Sequence, residues 1–312
     1  MINKAEPQKV LCLYHFFDAG TEARRNLAHF LAFGLHDELD VHLLVSGAAS
    51  PELLDIEGVT THTFPNKNLD FGAIGGFFSL GDLDLEEYTA AVIINSSARG
   101  PFCSPIQSKP WFTLLTDKLS TNVALVGATV SELPSGNIWS GGYEQVYGQK
   151  DHLTHVQTYC YAVSMAYLRA LIEFDFFGSK TEKTKLEVIR DYEIRLSGLA
   201  LEIGFSIDCL LPGYGPVSRQ HSNTGNLWSQ NGDPVVNGGY FGRTLHPFEV
   251  LFVKTNRGLY DPILLDSLAT SMVLDGRGSE DTALASKYFD AVLSAVTKDV
   301  HQIQTRTDHM VL

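Results

Sequence analysis

Short runs that are apolar from end to end, separated by stretches whose apolar residues recur at helical spacing, constrain this chain more than any other feature. Residues 10–14 and 90–94 are such runs, and 41–46 and 123–130 come close, with His42, Ser46 and Thr129 as their polar positions. A strand with no polar positions has no face for water, so it is covered on both sides. Between them, residues 21–35 set Leu27, Phe30, Leu31 and Leu35 along one side of a helix, and residues 59–64 alternate as a further strand. Residues 165–177 and 186–204 are read as helices, the second ended by Gly204. Strands alternating with helices give an α/β fold, one sheet flanked by helices. The 312 residues, 44% of them hydrophobic, suffice for one large buried core.

The other segments follow from local signals. Residues 66–78 form a flexible stretch leading into a short helix, 111–119 a helix, and 134–148 a glycine-rich loop carrying Trp139 and Tyr143. Residues 154–160 are extended, 207–211 a short strand, and 212–242 a long loop rich in Gly, Asn, Ser and Pro that holds Trp228. After Tyr260 the pattern is helical through residues 285–296, followed by a polar tail. The expected organisation is a main domain over residues 1–258 and a C-terminal helical extension, 259–312, packed on it.

Composition excludes several functions. With 23 Lys and Arg against 36 Asp and Glu, the net charge of −13 argues against a nucleic-acid partner. Cys12, Cys103, Cys160 and Cys209 stand far apart with no CxxC spacing and read as reduced core residues of a cytoplasmic protein. The first nine residues lack the apolar stretch of a signal peptide, and no run approaches the ~20 apolar residues of a membrane span, so any membrane contact is expected to be peripheral. The phosphate-loop, HExxH, GxSxG and GxGxxG patterns are all missing.

What remains is an ordered series: Asn68-x-Asp70-Phe71-Gly72-Ala73, Asn95-Ser96-Ser97-x-Arg99-Gly100-Pro101, Trp111, Val126-Gly127-Ala128-Thr129, His155-Val156-Gln157-Thr158, Glu193-Ile194-x-Leu196-Ser197 and Ile203-Gly204-Phe205-x-Ile207. This series resembles the rhamnan-synthesis and capsular-polysaccharide glycosyltransferase-like proteins, across roughly residues 10–254. The resemblance implies a GT-A-like, Rossmann-related mixed sheet. It also implies transfer of a sugar, of hexosyl or deoxyhexosyl class, from a nucleoside-diphosphate donor to a glycan acceptor in surface or capsular polysaccharide synthesis.

The resemblance carries expectations for single residues. Asp70 would hold the nucleoside, a carboxylate being suited to accept hydrogen bonds from ribose hydroxyls, although an Asp here also caps a helix. Asn95, Ser96 and Ser97 occupy the place where such enzymes hold a divalent cation with an Asp-x-Asp. Neutral Asn and Ser bind Mn²⁺ or Mg²⁺ weakly, so the cation is disfavoured and metal-independent transfer is expected. The leaving diphosphate would then be neutralised by Lys254 and Arg257, with His246 upstream and Arg99 beside the junction. Glu193 would be the base that takes the acceptor proton in an inverting reaction, its competing role an ion pair with Arg190. His155, Gln157 and Trp139 would contact the acceptor. The alternative is a catalytically silent sugar-nucleotide or glycan-binding protein with the same fold, left without the acid at Ser96.

Overall fold

The computed structural model describes residues 9–48, 50–178, 181–222 and 232–294. Trp228 and the polar tail lie outside the described residues. The elements run β1 (Lys9–Phe17), α1 (Thr21–Phe33), β2 (Leu39–Ser46), α2 (Pro51–Leu54), β3 (Val59–Phe64), α3 (Leu69–Ser79), β4 (Tyr88–Asn95), β5 (Ala98–Arg99) and α4 (Thr113–Thr116). They continue β6 (Val123–Gly127), β7 (Val130–Leu133), α5 (Ile138–Tyr147), β8 (Leu153–Val156), β9 (Cys160–Ser164), α6 (Met165–Glu173), α7 (Lys185–Val188) and α8 (Arg195–Glu202). After β10 (Ser206–Cys209) come α9 (Pro247–Val250), β11 (Val253–Lys254), α10 (Pro262–Leu274) and α11 (283–294).

Seven strands form one mixed sheet in the order β3-β2-β1-β4-β9-β6-β10. Only β9 runs antiparallel, against both β4 and β6. The α/β architecture expected from the sequence, a sheet flanked by helices, is the one observed. In β1, seven consecutive residues from Val10 to Phe16 bear no water contact to speak of, as its all-apolar pattern requires. The connections β1-α1-β2 and β3-α3-β4 travel in opposite directions across the sheet, so right-handed crossovers set α1 and α3 on opposite faces. The strand order therefore reverses at β1 and β4, and the crevice outside their carboxyl ends is where an open α/β sheet takes a ligand.

Several local expectations are corrected. Residues 134–148 are not a loop but contain α5: Asn137 Oδ1 accepts from the backbone N–H groups of Trp139 and Ser140 at 2.9 and 2.7 Å, a cap that offsets the weak helix preference of Gly141 and Gly142. Residues 69–79 form a full helix rather than a flexible stretch. Its entry is tight, with Asn68 and Leu69 both at φ 55°, and a Cβ on Gly72 would lie 1.9 Å from the Lys67 carbonyl oxygen. The run 123–130 breaks at Gly127, where β6 gives way to β7, and only residues 113–116 of 111–119 are helical.

All four cysteines are free, and three are buried. The C-terminal helices pack on α1: Tyr288 hydroxyl meets His29 Nδ1 at 2.9 Å, and Ser279 N–H donates to the Ala32 carbonyl at 2.8 Å.

Candidate active site

The junction after β4 is a closed hydrogen-bonding unit. Asn95 Nδ2 donates to Asp70 Oδ2 at 3.1 Å and to the Thr158 carbonyl at 3.4 Å, while its Oδ1 accepts from Ser97 N–H at 3.2 Å and Ser97 Oγ at 2.6 Å. An amide offers two donors and two acceptor sites, and all four are used. Ser96 is buried, and its Oγ accepts from Phe17 N–H and donates back to the Phe17 carbonyl at 3.2 and 3.4 Å, lacing β4 to β1. The residues do not fit a divalent cation here: Asn95, Ser96 and Ser97 are all neutral, and each is already engaged by the protein. Among the described residues no three His, Cys, Asp or Glu side chains come together as a ligand set.

Charge gathers instead around that junction. Glu193 arrives on a π-turn, Ile189–Ile194, inserted between α7 and α8, a widened helical geometry that recurs at functional sites. The ion pair with Arg190 is not made. Arg190 and Lys183 both hold Asp191, at 2.6 and 2.8 Å, and Tyr147 hydroxyl donates to it at 3.0 Å. Burial alone would raise the Asp191 carboxyl, but those three bonds outweigh it and hold it at about 2. Glu193 is left with no hydrogen bond or ion pair from its side chain among the described residues. Burial raises its pKa above the ordinary carboxylate range, Lys254 pulls it back, and Asp70 raises it again.

Lys254 reaches the same place because β11 pairs antiparallel with β5, two residues beyond the junction, with Lys254 opposite Ala98. That pairing needs Gly100, where a Cβ would meet the Leu251 carbonyl oxygen at 2.4 Å. The Lys254 ammonium stands 5.6 Å from the centre of the Tyr159 ring and makes no hydrogen bond or ion pair among the described residues. Burial lowers its pKa, partly restored by Glu193 and lowered again by Arg257.

The remaining expected residues divide into two groups. His155, Gln157 and Arg257 belong to the cluster. Gln157 Nε2 donates to Asp233 at 3.0 Å, Arg257 is ion-paired with the same carboxylate, and its guanidinium also donates to the Val235 carbonyl at 3.0 Å. His155 is buried, which lowers it to about 4 against the pull of Asp233, so its ring is neutral. Arg99, His246 and Trp139 are occupied elsewhere. Arg99 is fully buried and donates to Asn26, Asp266 and Glu22 at 3.0, 3.2 and 2.9 Å. His246 is exposed and caps α9, its Nδ1 accepting from Phe248 N–H at 3.2 Å. Trp139 packs in a small apolar cluster with Tyr143, Leu153 and Ile194.

Two residues of the cluster escaped the sequence reading. Asp233 follows Gly232, whose φ of 72° and zero side-chain bulk let it dock on β7: a Cβ there would fall 1.3 Å from the Glu132 carbonyl oxygen. The Asn-Gly-Asp-Pro turn at residues 231–234 was the available signal. Tyr161, on β9, is 1% exposed and its hydroxyl has no hydrogen-bond partner among the described residues, yet it lies within Coulombic reach of Asp70 and Glu193. An unsatisfied buried phenol beside two carboxylates is a donor waiting for an acceptor.

No family model and no curated protein matches the chain. Solved structures similar to it include a galactosyltransferase, LgtC, in complex with donor and acceptor sugar analogues, at 11% identity over 84% of this chain and 96% of that one, TM-score 0.44. Also similar are the bifunctional glycosyltransferase WbbM, at 13% identity over 68% of this chain and 40% of that one, TM-score 0.35, and the glycosyltransferase GlyE of Streptococcus pneumoniae TIGR4, at 9% identity over 64% and 45%, TM-score 0.34.

Proposed function

We propose that the protein is a glycosyltransferase that moves a sugar from a nucleoside diphosphate to a hydroxyl of a glycan acceptor, inverting and without a metal ion. The observation that carries this reading is the pair Glu193 and Lys254, half-buried and within Coulombic reach of one another near the carboxyl end of β4, neither making a hydrogen bond or ion pair among the described residues. The acceptor oxygen attacks the anomeric carbon from the face opposite the diphosphate. Glu193 takes the hydroxyl proton as the new C–O bond forms. The bond from the anomeric carbon to the phosphate oxygen breaks, and Lys254 faces the negative charge that develops there, with Arg257 beyond it. Asp70, oriented by Asn95, receives ribose hydroxyls. Gln157 and His155 line the acceptor side. The resemblance seen in the sequence points to a surface or capsular polysaccharide as product.

Glu193→Gln keeps the shape and removes the base. Transfer should fall by about 10²–10⁴-fold, with the affinity for UDP, GDP, dTDP or CMP, whichever binds, within about twofold of the parent. Near-parental transfer by this variant, or activity abolished by a chelator, would sink the reading.

A silent sugar-nucleotide binder is the second reading, favoured by one observation: Ser96, where an acid would stand, is spent on lacing two strands together. It predicts nucleotide binding with no turnover of any donor.

A further inference from the structure

A cavity of about 150 Å³ is lined by residues 149–154 ahead of and within β8, by Ile194 at the end of the π-turn, and by Gly198, Leu201 and Glu202 of α8, and includes neither Glu193 nor Lys254. Leu153, Ile194 and Leu201 give it an apolar lining, and Asp151 and Arg219, both exposed, stand at its mouth. Two polar atoms on its wall are unsatisfied. Thr154 is 2% exposed, and among the described residues its Oγ1 has no hydrogen-bond partner; His152 Nδ1 is buried and likewise without one there.

The chemistry of those two atoms narrows the occupant. His152 Nε2 lies 2.9 Å from the Ser218 carbonyl oxygen, which can only accept, so Nε2 carries a hydrogen, and in that tautomer Nδ1 is a bare acceptor. Thr154 both donates and accepts. An anion would meet the Nδ1 lone pair and repel it, whereas an alcohol donates to Nδ1 and accepts from Thr154. Charge along the lining is balanced too, Lys150 and Arg219 against Asp151 and Glu202, with Lys150 holding Glu202 at 2.8 Å. The fitting ligand is uncharged, apolar on one face and hydroxylated at its edge. A cavity of ~150 Å³ is large enough for one six-membered ring.

We propose that this cavity is a second carbohydrate site that holds one neutral pyranose residue apart from the transfer site. The inference stands on the cavity alone and does not rest on the transfer reading. An occupant leans on Ile194, the residue after Glu193, so it presses on the element that carries the proposed base.

The test is saturation-transfer NMR on the full chain with methyl β-D-galactopyranoside, methyl α-D-mannopyranoside and methyl α-L-rhamnopyranoside, each at about 10 mM, where millimolar sites fill. The parent should pass saturation to at least one glycoside, and Thr154→Val should weaken binding of that glycoside about tenfold. Because the substitution removes only an unpartnered hydroxyl, its melting temperature should equal or exceed the parent's, and nucleotide binding should not move. Three results overturn the proposal: no glycoside signal, a signal unchanged in Thr154→Val, or a signal lost on adding UDP but kept in that variant. In the first two cases the cavity holds water, and in the third the sugar sits in the transfer site.

Discussion

Arg99 and Lys254 stand on neighbouring strands, β5 and β11, one register step apart, and meet opposite fates. Consecutive side chains of a strand leave on opposite faces. Arg99 turns toward α1 and α10, where each of its three guanidinium nitrogens finds an oxygen and no water reaches it. Lys254 turns the other way and finds only the face of Tyr159. A buried cation with a bond from every nitrogen fixes a strand in place. A half-buried one that makes no hydrogen bond or ion pair among the described residues is a standing electrostatic cost, kept where a ligand of opposite charge arrives.

Arg99→Leu should give the largest change in stability, about 3–5 kcal/mol in urea unfolding, because it leaves the Asn26 and Asp266 Oδ1 acceptors unpaired and breaks the tie between β5 and α1, Arg25 keeping only Asp266 Oδ2. Lys254→Met should do the reverse. Its unfolding free energy should stay within about 1 kcal/mol of the parent, while transfer drops by about 10²–10³-fold and nucleotide affinity falls with it. Equal stability losses in both variants would erase the distinction between the two cations.

A pH series sharpens it further. Glu193 has a raised pKa in the folded chain, so the folded state holds that proton more tightly than the unfolded one. Stability therefore declines as pH climbs from the ordinary carboxylate value through the raised one, and Glu193→Gln should abolish the decline. Lys254 has a depressed pKa, so it contributes the opposite slope, with stability rising as pH passes from its folded value to the ordinary lysine value. The ascending limb of the rate profile should lie above the ordinary carboxylate range and move higher still in Lys254→Met, since Lys254 is what pulls Glu193 down. The smallest effect belongs to Asp233→Asn. Arg257 is about a third exposed, and losing its partner should cost about 1 kcal/mol or less and shift nucleotide affinity less than tenfold, more at low salt than at high.

Much of this arrangement was legible in the residues, though unevenly. The central strands declared themselves because burial on both faces leaves no polar position in them. Asp70 and Glu193 lie 123 residues apart (193 − 70 = 123), yet both could be assigned to one donor pocket from their motifs, whereas Lys254 stood out only as part of a compact basic set after a strand-like run. Arg99 could not be placed from sequence alone, because nearness to Asn95 along the chain does not say which face of a two-residue strand it takes. Nor could α5 be read through Gly141 and Gly142, since its stability depends on the oxygen of one residue, Asn137, lying outside the helical pattern. Asp233 stayed hidden for a related reason: its position follows from Gly232 docking on another strand, a long-range contact with no local periodicity.

The π-turn at Ile189–Ile194 has an ancestry written into its geometry. A turn of this kind accommodates one residue more than an α-helix would, and each residue of an α-helix rotates the next by about 100°. A single-codon insertion in an ordinary helix is thus enough to swing a side chain from one face to another, and a single-codon deletion is enough to swing it back. If Glu193 owes its place to such an event, the proton-accepting group was acquired in one genetic step, with the flanking helices keeping the positions they already had.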